Sequence, residues 1–258
     1  MGALSAIGRV IAKFLSKPSR TPYANAPSDE AALARIIKPG DVLLVDGRQR
    51  ISSAIKYLTQ STWSHAALCI AAADTRTGAL PQFVEADAVD GVRQISSDAF
   101  AGLHIRICRP VGLTEADIAG IIAFATSRIG DEYDLANVID LARYLFPTPP
   151  VPAAWRRRMI ALGSGEPTKA ICSTLIAMAF QSVHYPILPE VTQELIDDPD
   201  CRGCLRDILH IRHHSLFTPR DFDVSPYFKI IKPSLEQGFD PYRLRWSADT
   251  APPAITNA

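Results

Sequence analysis

The residues of this chain best suited to chemistry are Cys172 and His65. Cys172 opens an apolar, helix-forming run, Cys172-Ser173-Thr174-Leu175-Ile176-Ala177-Met178-Ala179-Phe180. A cysteine in the first turn of a helix has its thiolate favoured by unpaired backbone N–H groups and the positive end of the helix dipole. Such a thiol still lacks a base. His65 supplies a candidate: it stands at the head of an apolar segment, Trp63-Ser64-His65-Ala66-Ala67-Leu68-Cys69-Ile70, that reads as a strand. An imidazole fixed on a strand can take the thiol proton if the fold brings the two within reach. A carboxylate on the second ring nitrogen would fix the tautomer and stabilise the imidazolium, and Glu85 or Asp87 could serve. Taken singly, a helix-start cysteine is a common core residue and a strand histidine is commonly satisfied by a carbonyl. Taken together they suit acyl transfer through a thioester.

Several elements must position these groups. Ser28-Asp29-Glu30 is a helix-start signal, and Lys38-Pro39-Gly40-Asp41 stops that helix before a strand at Val42-Leu43-Leu44-Val45. A short helix follows around 51–57. Strands are expected near 66–72, 82–86, 92–95 and 105–108, with an added turn at 74–81. The spacing turns helical over 114–129 and 135–146. Strands first and helices afterwards predict an α+β domain with an antiparallel sheet packed against helices. Beyond residue 184 the chain is rich in turns and polar residues.

Composition narrows the function. The 27 basic and 27 acidic residues cancel, which argues against a nucleic-acid partner. Five cysteines make an odd number, and two of them, Cys69 and Cys108, lie in apolar strand-like runs, so a reducing compartment is expected. No apolar stretch approaches the roughly 18 residues of a membrane span. In residues 1–20, Leu4, Ile7, Val10, Ile11, Phe14 and Leu15 recur at helical spacing among Arg9, Lys13, Lys17 and Arg20. That pattern predicts a basic amphipathic helix, which either lies on a membrane surface or packs on its own domain. It lacks the form of a secretory signal, so a cytoplasmic location, peripheral at the membrane, is expected. The chain divides into this helix and a linker (1–27), a hydrolase domain (28–247) with a candidate lid or insertion at 146–170, and a disordered tail (248–258).

Gly40-Asp41 before the first strand, Trp63-Ser64-His65, Val84-Glu85-Ala86, Gly130 followed by Tyr133-Asp134, Ile171-Cys172-Ser173, and Thr218-Pro219-Arg220-Asp221-Phe222 with Ser225-Pro226 together carry a resemblance. From about Gly40 to Phe228 the chain resembles the circularly permuted papain-like cysteine hydrolases, the YiiX-like branch of the NlpC superfamily. Histidine preceding cysteine is the mark of the permutation. The resemblance implies a circularly permuted papain-like (NlpC-type) fold, with Cys172 as nucleophile, His65 as base and Glu85 as the residue that orients His65. It also sets Tyr133, Ser173 and Trp63 beside the substrate or the oxyanion, the latter helped by N–H groups at the start of the Cys172 helix. Members of that branch often carry glutamate two residues after the nucleophile; Thr174 stands there in this chain.

The implied activity is a cysteine hydrolase or acyltransferase that cleaves an amide or ester through an acyl-enzyme and requires no cofactor. Two substrate classes fit: cell-wall-type peptide amides, and lipid-like acyl esters or amides as in the related lecithin retinol acyltransferase group. The basic amphipathic N-terminus and Trp155-Arg156-Arg157-Arg158 favour the lipid class at a membrane surface. A membrane-associated binding module without activity is the non-enzymatic alternative. Cys201-Arg202-Gly203-Cys204 with His210, His213 and His214 has zinc-ligand types but no familiar spacing, so no metal is assigned. Gly163-Ser164-Gly165 is not a serine-hydrolase elbow, and no phosphate-binding loop occurs. Oligomeric state is not legible in the sequence.

Overall fold

The central strand explains the sheet. In β1 (Val42–Asp46) every residue is buried, because helices or loops cover both faces, and an uninterrupted Val-Leu-Leu-Val run is what such a strand requires. Each of these side chains contributes about 1.5–3 kcal/mol on burial. The computed structural model describes residues 28–87, 90–131, 172–195 and 205–236, together with Lys17, Gly238, Asp240 and Tyr242. The amphipathic segment 1–20 apart from Lys17, the helix expected at 135–146, Tyr133, the 146–170 insertion and the 248–258 tail lie outside the described residues.

The chain enters through α1 (Glu30–Ile36), capped by Asp29, whose carboxylate accepts from the N–H groups of Ala31 and Ala32. After β1 come α2 (Arg50–Thr59), β2 (His65–Ala71), β3 (Gln82–Asp87), β4 (Gly91–Ser96) and β5 (His104–Pro110). The turn expected at 74–81 closes with an Asp74–Ala79 bridge. Then follow α3 (Glu115–Ser127), α4 (Cys172–Gln181), a hairpin of β6 (Glu190–Leu195) and β7 (Leu205–His210), α5 (Pro219–Asp223), β8 (Phe228–Ile231) and α6 (Pro233–Glu236). The main sheet runs β4-β3-β2-β1-β5-β8, and all its pairings are antiparallel. The fold is therefore α+β, with an antiparallel sheet packed against helices, as the pattern predicts.

Alternation along the strands sorts the core into two layers. Val42, Leu44, Ala66, Leu68, Val84, Ala86 and Val92 face α3 and α4, where Ile121, Leu175, Ile176 and Phe180 meet them. Leu43, Val45, Ala67, Cys69, Phe83, Ile105 and Ile107 face Leu33 and Ile37 of the α1 region and Phe100 of a short 3₁₀ turn. Two elements depart from the sequence reading. The region after 184 holds the β6–β7 hairpin, and β8 extends the main sheet beyond β5.

Candidate active site

The site forms where β2 begins and β3 ends. The pairing of β2 with β3 sets Leu68 opposite Val84; continued to the strand ends, that register leaves His65 diagonal to Glu85. Diagonal neighbours are within reach of long side chains. His65 Nε2 lies 2.6 Å from Glu85 Oε2, a charge-assisted contact. The alternative carboxylate, Asp87, is engaged elsewhere: its Oδ1 accepts from the Asp90 N–H at 3.0 Å, and its Oδ2 stands 3.7 Å from Arg93 Nη2. Glu85, 5 % exposed, is thus the carboxylate in contact with His65.

With Nε2 committed to Glu85, Nδ1 is the ring nitrogen left for a thiol. Cys172 is that thiol. It is the first residue of α4, which packs against β2, β3 and α3, and it lines the same cavity as His65, with which it interacts electrostatically. The helix places Cys172 there because Leu175, Ile176, Ala179 and Phe180 bury against the sheet, aiming the N-terminal turn at the head of β2. Backbone N–H groups of that first turn have no intrahelical partners and can receive an oxyanion.

The electrostatics suit an ion pair. Burial alone would depress the imidazole, but the charge and hydrogen bond of Cys172, followed by those of Glu85, hold His65 well above the usual histidine range. Burial pushes the Glu85 carboxyl upward, yet the hydrogen bonds and charges of His65 and Arg93 bring it below its ordinary value. The strand cysteines behave oppositely. Burial, with the charge of Asp41 adding to it, pushes the Cys69 thiol up to about 12, and burial likewise raises Cys108. Those two are inert fillers of the core.

A cavity of about 280 Å³ opens onto Cys172, His65 and Glu85. One wall is apolar, from Val45, Ile55, Ile95, Phe100 and Leu103, and the other is polar, from Arg48, Gln49, Ser52, Asp87 and Arg93. Two residues expected at the substrate are placed elsewhere. Trp63 is buried, stacks on His104 at 5.4 Å and donates its Nε1–H to Asp223 at 3.0 Å, so it ties β2 to α5. Ser173 is fully buried and its hydroxyl donates to the Phe217 carbonyl at 2.7 Å. Adjacent helical residues point about 100° apart, which turns Ser173 away from the thiol. Tyr133 lies outside the described residues.

Arg93 is the residue that sequence reasoning missed. Its Nε and Nη2 both meet Glu85 Oε1, at 3.0 and 2.9 Å. A signal for it existed: Asp90-Gly91 closes the β3–β4 hairpin, and counting back from that turn sets Glu85 opposite Arg93.

Among the described residues no group of three or more His, Cys, Asp and Glu could hold a metal. Cys201 and Cys204 lie outside the described residues. His210 Nε2 is 2.7 Å from Thr192 Oγ1, and His213 Nδ1 is 2.8 Å from Ser215 Oγ. Among the described residues no helix is long and apolar enough to cross a membrane.

Residues 36–145 match the family described as permuted papain-like amidase enzyme, YaeF/YiiX, C92 family; the match includes His65 and Glu85 and ends before Cys172. Among solved structures, the chain is similar to the metalloprotein yiiX from Escherichia coli O157:H7, at 15 % identity and a TM-score of 0.46, over 75 % of this chain and 96 % of that one. No curated protein matches. The matched segment, which supplies His65 and Glu85, is thus similar to the permuted papain-like amidases of the YaeF/YiiX type.

Proposed function

We propose that the protein cleaves an amide or ester through a Cys172 acyl-enzyme, with His65 as general base and acid and Glu85 as its orienting carboxylate. The observation that carries this is the convergence of Cys172, His65 and Glu85 on one cavity, with His65 and Glu85 in contact at 2.6 Å. Cys172 Sγ attacks the substrate carbonyl carbon, and the carbonyl oxygen becomes an oxyanion facing the first-turn N–H groups of α4. When the oxyanion collapses, the bond to the leaving amine or alcohol breaks and the His65 imidazolium supplies its proton. A water then loses a proton to His65 and attacks the thioester, releasing the carboxylic acid and restoring Cys172. If an amine or alcohol takes the place of that water, the same steps give acyl transfer.

The substrate we favour is a lipid-like acyl ester or amide. Support comes from the apolar wall of the cavity and the basic amphipathic pattern of residues 1–20. At about 280 Å³ the cavity falls at the small end of ligand sites, so it suits one acyl chain or an apolar amino-acid side chain, with the remainder of the substrate outside. Residues 1–20 would then hold the enzyme at a lipid surface from the cytoplasmic side.

The test is intact-mass detection of acyl adducts on Cys172 after incubation with phospholipids, acyl-amino acids and cell-wall peptides, with Cys172→Ala as control. A fatty-acyl adduct supports the lipid reading, and a peptidyl adduct replaces it with a cell-wall amidase. No adduct together with no iodoacetamide labelling of Cys172 would favour an inactive binding module. Deleting residues 1–20 should lower co-sedimentation with anionic liposomes and leave hydrolysis of a water-soluble ester intact; unchanged sedimentation would reject the surface anchor.

A further inference from the structure

Glu85 does not choose unaided which of its oxygens faces His65. The β3–β4 register puts Arg93 directly across from it, and the guanidinium donates its Nε–H to Oε1 at 3.0 Å with Nη2 2.9 Å from the same oxygen. Oε2 is then the oxygen left for His65 Nε2. A guanidinium can do this where an ammonium cannot, because its donors form a rigid fork. Arg93 also reaches Asp87 and Asp90, so one cation faces three carboxylates at the edge of the catalytic cavity.

We propose that Arg93 is the positioning residue of this site: it selects the Glu85 oxygen presented to His65, and its charge sets the pH window in which thiolate and imidazolium coexist. The inference rests on the Cys172–His65–Glu85 reading above. A purely structural Arg93 would tie the hairpin together and change stability alone.

The charged and titratable groups facing the pair come from four elements. They are Cys172 on α4, Glu85 and Asp87 on β3, Arg93 on β4 with its partner Asp90 in the preceding turn, and Arg48 ahead of α2. Removing the Arg93 charge leaves the three carboxylates less balanced. A more negative surrounding disfavours the thiolate, which raises the acid limb of the window, and favours the imidazolium, which raises the alkaline limb. Both limbs move the same way.

The experiment is peptide-resolved iodoacetamide labelling of Cys172 across acid to alkaline pH in the full-length protein, with ester turnover measured in parallel. Arg93→Gln should move both limbs up by about one pH unit. Arg93→Lys, which keeps the charge and loses the fork, should leave the limbs near those of the wild type while turnover still falls. Asp90→Asn, on a half-exposed turn residue and independent of whether Arg93→Gln folds, should move both limbs slightly down. Limbs that stay put in Arg93→Gln with a native melting curve, or that stay put in Asp90→Asn, would overturn the proposal. A wild-type profile without two limbs is a different result: it removes the ion-pair reading and the inference built on it.

Discussion

Glu85→Gln changes one atom, and the surrounding hydrogen bonds dictate how it fails. In the wild type Oε1 accepts from Arg93 Nε at 3.0 Å, with Nη2 2.9 Å from the same oxygen, and Oε2 accepts from His65 at 2.6 Å. Glutamine has one oxygen and one amino group. Hydrogen bonds to charged groups are worth about 1.5–3 kcal/mol each; turning the amino group toward Arg93, which has donors only, forfeits its bond, whereas His65 can accept from an amino group by changing tautomer. The oxygen therefore goes to Arg93 and the amide N–H points at His65 Nε2. His65 must then accept at Nε2 and carry its proton on Nδ1, the nitrogen that should take the proton of Cys172. By analogy with the aspartate-to-asparagine change in the serine protease triad, which inverts the tautomer in the same way, kcat/KM should fall by about 10² to 10⁴. Adding Arg93→Met frees the glutamine oxygen to turn back to His65, so the double variant should recover about tenfold over Glu85→Gln. The assay is steady-state ester hydrolysis with native melting curves for every variant. Activity of Glu85→Gln within threefold of wild type, or a double variant no better than the single, would refute the tautomer argument.

The same carboxylate has a stability signature. Glu85 is held below its unfolded value, so its contribution is present above the ordinary carboxylate range near 4.3 and is lost as pH falls through its folded value. Glu85→Gln should accordingly show a shallower decline of stability in acid, read by urea midpoints over that range. Cys172→Ala removes the largest upward influence on His65, so the His65 midpoint in an NMR titration should move down; an unmoved midpoint would mean that no thiolate supports the imidazolium. Asp41 is 1 % exposed and accepts from Arg109 Nε and Nη2 at 2.8 and 2.7 Å and from the Lys38 N–H at 2.8 Å. Asp41→Ala strands a half-buried arginine and should cost about 3–5 kcal/mol in urea unfolding, with Cys172 labelling unchanged in the folded fraction. At Gly47, on the cavity wall, an added Cβ would stand 2.9 Å from Ser64 Oγ and closer still to Ser52 Oγ. Gly47→Ala should cost about 1–3 kcal/mol, read by thermal melting, and a Ser52→Gly background should return part of it.

What the sequence made legible follows from how local each determinant is. The Val42–Val45 run, the Asp29 cap and the alternation along β2 to β5 are written within a few residues, and the corresponding elements form where the pattern places them. His65 and Glu85 sit on neighbouring strands joined by one turn, so their proximity follows once an antiparallel pairing is assumed. The β6–β7 hairpin escaped notice because little of it is buried. Val191 and Leu209 are about half exposed, and pairs such as Gln193–Asp207 at 3.0 Å link the two strands. Without a core face there is no apolar alternation to read. Four-residue β8 is shorter than any period can reveal, and its place beside β5 depends on a chain return of more than a hundred residues.

The side chains of Trp63 and Ser173 are both held by partners distant in the chain. Trp63 looked like a substrate contact because it flanks His65, but side chains two apart on an extended chain share a face only while the strand is regular, and Trp63 precedes β2. Its partners, Asp223 and Arg106, lie 160 and 43 positions away and were therefore invisible locally. Ser173 looked apt because it neighbours the nucleophile, yet a helix turns adjacent residues apart, and its hydroxyl caps a carbonyl of the segment before α5. Arg93 shows the converse. It reads as an ordinary charged residue of an edge strand, and only the hairpin register shows that it meets the carboxylate paired with His65. In this site the groups proposed to exchange protons could be found from residue type and order, whereas the group that fixes their orientation is defined by pairing alone. The tautomer inversion expected for Glu85→Gln depends on that pairing, which is why its partial rescue by Arg93→Met tests the register as well as the chemistry.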